Sequence, residues 1–485
     1  MRVVIIGNGV AGMEAALEVR RREPAWEITI ISEESDHFFS RTALMWVFAG
    51  QLSHQCIEPL ERDVYARLNF RRVRARAVGI DVEARQVRIA GGHDAVPFDR
   101  LLIASGSKPR PGPWPGSELA GIGHFVTHQD LSWYEAEVHG GPSRGGPPPN
   151  ADAHLAFSTP DSPYAKRPVA AETRGRPAKD VAVIGGGLIG IEAVEVAHAA
   201  GLHPRFFIRE EWFWPMAIDR TESTWISDRM REHGVHVHLE ENVERFEGEG
   251  VVERIVTDQG DYAADAVVVA IGVVPNTDFL RSGDGEGDGD APVTLDRSGG
   301  IVVDERLETS VPGVFAAGDC ASVRWFNGAV RPEQLWYTAR DQGRIAARGL
   351  LGDTVQSYAR GHWYNSAKLM DIEYTTAGLV NFHVEGERNW FFEETGAVRS
   401  TNRIVLSGDR VVGFNFLGRR WDHSVLLRFI DEHRSLSYVL DHLDDARFDT
   451  EFVPPLRVPM EARLRGLSEG PAPSALPQPV APPAV

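Results

Sequence analysis

Residues 3–12 read Val3-Val4-Ile5-Ile6-Gly7-Asn8-Gly9-Val10-Ala11-Gly12, and the fold of the amino-terminal half follows from them. Consecutive β-branched residues predict a buried strand, and the glycines stand in the G-x-G-x-x-G spacing between that strand and a helix. In such a turn Gly7 permits the tight bend, Gly9 lets the backbone approach a pyrophosphate, and Gly12 lets the helix pack on the strand. The helix start at Val10 and Ala11 offers unpaired N–H groups and a positive dipole end to phosphates. A second strand, Ile28-Thr29-Ile30-Ile31, ends at Ser32-Glu33-Glu34. A carboxylate there accepts hydrogen bonds from an adenosine ribose; Glu33 is the first choice and Glu34 the alternative. A glycine-rich turn without a ligand would account for the triplet alone. Strand, glycines, helix, strand and acid in that order predict a nucleotide site.

Residues 181–192, VAVIGGGLIGIE, repeat the pattern with Gly185, Gly187 and Gly190, and with Leu188 and Ile189 opening the helix. Strand-like runs alternate with helical patterns through most of residues 1–350. The expectation is an α/β protein with two Rossmann-like dinucleotide-binding domains. From about residue 355 to 460 the character changes. Aromatic and β-branched runs (Trp390-Phe391-Phe392, Arg403-Ile404-Val405-Leu406, Val411-Val412-Gly413-Phe414) precede a helix near Ser424–Glu432, which predicts a C-terminal α+β domain. The predicted boundaries are 1–138 with 291–352 for the first nucleotide domain and 179–290 for the second. Residues 139–178, rich in Gly and Pro, read as an inserted flexible loop, and 355–460 form the last domain. The final stretch, 466–485, has six prolines and reads as a disordered tail. The acidic run 283–290 (GDGEGDGD) reads as a flexible loop, its spacing matching no EF-hand; no metal site is expected.

Composition narrows the function classes. At 485 residues, 42% hydrophobic and 25% charged, the chain can build several cores. No apolar run approaches the roughly 20 residues that cross a bilayer, and a strand pattern begins at Arg2 where a leader would carry an apolar core. A cytoplasmic protein without membrane contact is expected. A net charge of −18 argues against nucleic acid as a partner and favours a neutral or basic one. Two cysteines, Cys56 and Cys320, fit a reducing compartment.

With both fingerprints in place the chain resembles the two-dinucleotide flavoprotein reductases, the pyridine nucleotide–disulfide oxidoreductase superfamily, over about residues 1–350. Three further stretches carry the resemblance. Leu102-Ile103-Ala104-Ser105-Gly106-Ser107-Lys108-Pro109 is similar to the connecting motif that closes over FAD, and Ala270-Ile271-Gly272-Val273-Val274-Pro275-Asn276 to its counterpart after the nicotinamide domain. Val314-Phe315-Ala316-Ala317-Gly318-Asp319 is similar to the second FAD motif, whose aspartate binds the ribityl chain. Phe39-Ser40-Arg41-Thr42-Ala43-Leu44 resembles a segment of rubredoxin- and ferredoxin-reductase-like enzymes and of the flavin module of the nitrite reductase large subunit. There the arginine lies by the FAD, so Arg41 is a cofactor candidate, with a surface arginine capping a helix as the alternative.

The resemblance implies FAD at the first site, with Gly7, Gly9, Val10, Ala11, Gly12, Glu33 or Glu34, Arg41, Ala104, Ser105, Gly106, Gly318 and Asp319 around it. It implies NADH or NADPH at the second, with Gly185, Gly187, Leu188, Ile189, Gly190, Glu192, Arg209, Glu210 and Gly272. Hydride would pass from NAD(P)H to FAD and electrons onward to an outside acceptor, an iron–sulfur or rubredoxin-like protein. An NAD(P)H oxidase or quinone or other small-molecule reductase is the alternative, and a flavin-binding scaffold without turnover a second. The C-terminal domain stands where relatives carry a dimer interface, which points to a homodimer.

The chain also departs from the family. The redox C-x-x-x-x-C pair is absent from SRTALMWVFAG, residues 40–50, so the dithiol relay is not expected. Cys56 reads as a buried inert thiol, with a reactive thiol as the alternative, and Cys320 as a packing residue near the flavin. Glu192 holds the place of a glutamate that relatives pair with a lysine, but Met45 or Trp46 stands where the lysine would be. Either Arg41 or another cation serves Glu192, or Glu192 is protonated. Trp46 stacks near the flavin or is a core tryptophan. Arg209 at its strand end favours a 2′-phosphate, whereas Glu210 and Glu211 oppose one, which leaves NADH against NADPH open.

Overall fold

The computed structural model describes residues 1–91, 94–139, 168–281, 291–325, 328–353, 355–382, 386–395, 398–451, 453–465 and 467–469. They fall into two compact units, one of residues 1–185, 196–207 and 242–360, the other of 186–195, 208–241 and 361–485.

In the first unit the strand Arg2–Ile6 lies at the centre of a five-stranded parallel sheet. Its order is Val314–Ala316, Arg100–Ile103, Arg2–Ile6, Glu27–Ser32, Phe70–Arg74. The unbroken apolar run 3–6 has its reason here, because both faces are covered. Val3 and Ile5 pack with Ala11, Met13 and Ala346, while Val4 and Ile6 pack with Phe98, Ile103 and Val314. The helix Val10–Arg22 crosses Trp336–Leu350 so closely that a Cβ on Gly343 would come within 2.4 Å of the Ala11 carbonyl oxygen.

A second parallel sheet orders His203–Ile208, Asp180–Ile184, Ala266–Val269 and Ile122–Gly123. The last strand corrects the expected boundary at 138, since residues 122–123 pair with Val267 and Val268 of the second module. Two residues are too few to carry a period in the sequence. The expected loop 139–178 is corrected at its end. Residues 168–178 are part of the fold, because Ala170 and Ala171 are buried and the buried Glu137 carboxylate accepts their N–H groups at 2.5 and 3.0 Å. Residues 140–167 and the acidic run 283–290 lie outside the described residues.

The second unit contains a six-stranded sheet ordered Tyr364–Leu369, Ile372–Gly378, Arg410–Leu417, Ser400–Ser407, Glu387–Glu394, Leu467–Glu469. The sixth strand corrects the expected tail: residues 467–469 pair antiparallel with Arg388–Trp390, and 470–485 lie outside the described residues. The helix expected near Ser424–Glu432 runs His423–Asp431, and the Asp422 side chain caps it by accepting from Ser424 N. The helix Arg220–Glu232 joins this sheet through a buried charge cluster. Glu222 accepts from Arg403 Nη2 at 2.9 Å and from Asn415 Nδ2 at 2.9 Å; removing one member of such a pair strands a buried charge. Among the described residues no helix is long and apolar enough to cross a membrane.

Candidate dinucleotide sites

At the first glycine turn the packing sets two of the three glycines apart from the third. Gly7 stands at φ +111°, and a Cβ on it would meet the Ala104 carbonyl oxygen at 2.0 Å; one on Gly12 would meet the Gly7 oxygen at 2.1 Å. These two glycines are required by the protein's own packing. Gly9 differs. A Cβ there would meet nothing within 4 Å, no side chain caps the helix behind it, and the first turn holds no acidic residue. The N–H groups of Val10 and Ala11 therefore head an open cradle suited to a phosphate.

Around that cradle the structure gathers the predicted motifs. Ala104 packs on Gly7, and Ser107–Pro109 pairs antiparallel with Val273–Pro275, so the two connecting motifs form one ribbon. Asn276 fastens it, donating from its backbone to Gly106 O at 2.9 Å and from its side chain to Ser105 O at 3.4 Å. Gly318 lies against Ala11 and donates its N–H to Gln342 Oε1 at 2.8 Å. Asp319 accepts from the Ser107 hydroxyl at 2.7 Å. Burial raises its carboxyl above the usual range, opposed by Ser107 and by the Arg41 guanidinium.

The two acids at the strand end separate. Glu34 is buried and accepts from Arg41 Nη1 at 2.8 Å and Nη2 at 2.5 Å, and from His128 N at 3.2 Å. Arg41 also donates to Val126 O at 2.8 Å. It is thus a tie between segments and not a surface cap, and the alternative ribose ligand Glu34 is committed to it. Glu33 remains at the mouth of the strand, with Arg76 at 4.0 Å. Sequence reasoning missed Asn8 and Tyr65. The Tyr65 hydroxyl donates to Asn8 Oδ1 and accepts from Phe38 N, each within 2.9 Å, bracing the turn. Nothing in the spacing of residues 8 and 65 signals this.

The second turn repeats the geometry. Gly185 stands at φ +117°, a Cβ on it would meet the Ala270 oxygen at 2.4 Å, and one on Gly187 would meet nothing within 4 Å. Leu188, Ile189 and Gly190 lie in the helix Leu188–Ala199, whose first turn holds no acid. Gly272 accepts from Arg110 N at 3.0 Å on the connecting ribbon. At the strand end Arg209 donates to Glu210 at 2.7 Å, and Glu211 pairs with Arg220. Glu192 has no ion pair among the described residues, and burial, with Glu195 adding to it, pushes its carboxyl up to about 8. Of the readings open for Glu192, protonation is the one this environment favours.

Two expectations are corrected. Trp46 is 37% exposed and so not a core tryptophan; Leu44, Val47 and Phe48 of its helix point inward instead. Cys56 is exposed, not buried, and a hydrogen bond from the Ser53 hydroxyl helps hold its thiol below the usual range. Cys320 is buried and donates to the Ile103 and Ala317 carbonyls, as a packing residue should.

The family model for pyridine nucleotide-disulphide oxidoreductases matches residues 1–343. The chain belongs to that family. It is an NAD(P)H-dependent flavin oxidoreductase in the family's general sense. Among curated relatives, the CoA-dependent NAD(P)H sulfur oxidoreductase of Pyrococcus abyssi is 26% identical, covering 83% of this chain and 80% of its own. The ferredoxin–NAD(+) reductase subunit of the benzene 1,2-dioxygenase system of Pseudomonas putida is 27% identical, covering 87% and 86%. The NAD-dependent persulfide reductase from A. fulgidus shares the fold, with a TM-score of 0.74 at 21% identity over 94% of this chain and 80% of that one.

Proposed function

We propose that the chain binds FAD at the first glycine turn and NADH or NADPH at the second, and passes electrons to an external iron–sulfur or rubredoxin-like protein in the cytoplasm. The observation that carries the reading is the pair of open helix ends at Gly9 and Gly187, each behind a glycine whose Cβ the fold excludes. Bound there, the two cofactors supply the hydride chemistry.

The chain's own residues hold and shield. Val10 and Ala11 N–H groups take the FAD pyrophosphate, and Glu33 accepts from its ribose. Asp319, its carboxylate oriented by Ser107, accepts from the ribityl hydroxyls. Arg41 ties Glu34 to Val126 and so would hold the 34–41 segment in place beside a bound FAD. At the second turn Leu188 and Ile189 N–H groups would take the pyrophosphate of the nicotinamide dinucleotide, and Arg209 or Glu210 would meet its adenosine ribose. No side chain need move a proton for hydride transfer.

The absence of the cysteine pair from residues 40–50 favours an outside acceptor over a disulfide. A ferredoxin reductase and a sulfur reductase both stand among the relatives. The exposed Cys56 thiol, held below its usual range, supports a second reading in which a sulfur compound is the acceptor. Steady-state turnover with a two-iron ferredoxin, a rubredoxin, a quinone, oxygen and polysulfide as acceptors tests the choice. The reading expects the small iron–sulfur carriers to turn over at least about 100-fold faster than oxygen. Polysulfide turnover that Cys56→Ser abolishes would replace it with the second reading.

A further inference from the structure

The strand His203–Ile208 runs out into Arg209-Glu210-Glu211, and the chain comes back to the same place at Arg220. The loop between is folded. Ala217 N and Ile218 N both donate to Trp214 O, at 3.0 and 3.1 Å, and the Trp212 indole N–H donates to Ile218 O at 3.3 Å. Phe213, Ala217 and Ile218 are buried beneath it.

Arg220 opens the helix Arg220–Glu232, whose start a capping box fixes. Glu222 N donates to Asp219 Oδ1 and Asp219 N to Glu222 Oε2, each at 2.8 Å. Glu222 is in turn the buried partner of Arg403 and Asn415. The core of the second unit thus sets the backbone of Arg220, and only its side chain reaches out to Glu211.

The strand end therefore carries two guanidiniums and two carboxylates in two pairs. Arg209 Nε donates to Glu210 Oε1 at 2.7 Å, and Arg220 pairs with Glu211. Each guanidinium side chain is 64% exposed, so both pairs are weak and a change of partner costs little. Arg220 has a second hold, its guanidinium carbon standing 5.5 Å from the centroid of the Trp212 ring. That contact keeps the cation at the strand end when it releases Glu211. Two further carboxylates lie beside the strand. Glu241 is buried and engaged with His238 Nδ1 at 2.8 Å; Glu240, joined through its N–H to Glu210 O at 3.1 Å, is exposed and screened by solvent.

We propose that these two pairs exchange partners so that the second site accepts both NADH and NADPH, with Arg220 as the residue that admits the 2′-phosphate. The inference rests on the assignment of the nicotinamide dinucleotide to the second turn. An adenosine 2′-hydroxyl would donate to Glu210 while both guanidiniums keep their carboxylates. A 2′-phosphate carries up to about two negative charges, so Arg209 alone would leave it half compensated. Arg220 supplies the second cation, and Glu210 and Glu211 turn to water as the phosphate takes their partners.

The test is calorimetric binding of NAD+ and NADP+ to the flavin-loaded full chain at neutral pH and low salt. The wild-type protein should bind both, with dissociation constants within about 30-fold of each other. Arg220→Ala should weaken NADP+ by at least about tenfold and NAD+ by less than about threefold. Glu211→Gln removes the competing carboxylate and should tighten NADP+ by about threefold, with NAD+ unchanged. A wild-type preference beyond about 30-fold for either nucleotide, or an Arg220→Ala variant that treats the two nucleotides alike, overturns the inference. Should Arg220→Ala fail to fold, Arg220→Gln, which keeps the stem beside Trp212, decides in its place. A wild-type protein that binds neither nucleotide defeats the functional reading itself; one that binds a single nucleotide defeats only this inference.

Discussion

The two glycine turns have the same backbone and different surroundings. At the first, the strand end is built in. Glu34 is buried under a bidentate Arg41, Asn8 is locked by Tyr65, and Asp319 is held by Ser107. At the second, the strand end is two exposed pairs, Arg209 with Glu210 and Arg220 with Glu211, ion pairs that are worth little on a surface. A site wired into the core suits a cofactor that stays bound, and a site finished by surface charges suits one that enters and leaves at each turnover.

The largest expected break in this comparison is at the packed glycines. Gly7→Val forces a Cβ into the Ala104 carbonyl at a positive φ and should cost about 4 kcal/mol or more, read as loss of folded protein on expression. The open glycines should separate the sites without unfolding them. Gly9→Val should leave a folded protein whose FAD affinity falls about 100-fold, whereas Gly187→Val should keep the flavin and weaken the dinucleotide by a similar factor. Flavin content and dinucleotide titration check both. Equal loss of flavin in the two variants would erase the distinction.

Smaller effects sharpen it. Glu34→Gln leaves Arg41 partly buried without its counter-charge and should lower stability by about 1–3 kcal/mol, read by denaturant unfolding of flavin-free protein. Glu33→Gln should instead weaken FAD by about tenfold with stability nearly unchanged. Arg209→Ala should lower the ratio of NADPH to NADH affinity by about tenfold, read from half-saturating concentrations. Cys56→Ser should leave turnover with an iron–sulfur acceptor unchanged.

Much of this was legible because glycines and buried strands leave strong local marks. Residues 3–12 and 181–192 each specify strand, turn and helix within a dozen positions, and the structure confirms both. What was not legible is long-range. The strand Ile122–Gly123 takes its place in the second sheet from pairing with Val267 and Val268 and not from its own two residues. Leu467–Glu469 looked like the start of a tail because only an edge partner, Arg388–Trp390, makes it a strand. Glu33 and Glu34 are adjacent in the sequence and could not be told apart until Arg41 was seen to claim one of them. Cys56 and Trp46 read as buried from residue type alone, and the course of the 44–57 segment exposes both.

The central claim is that one chain holds a resident flavin at the first turn and accepts a reductant at the second. Anaerobic titration of the purified protein with NADH and, separately, NADPH, followed by flavin absorbance, tests it most directly. The account predicts a yellow protein whose flavin is bleached stoichiometrically by at least one of the two nucleotides. A colourless protein that takes up no FAD, or a bound flavin that neither nucleotide reduces, would contradict it.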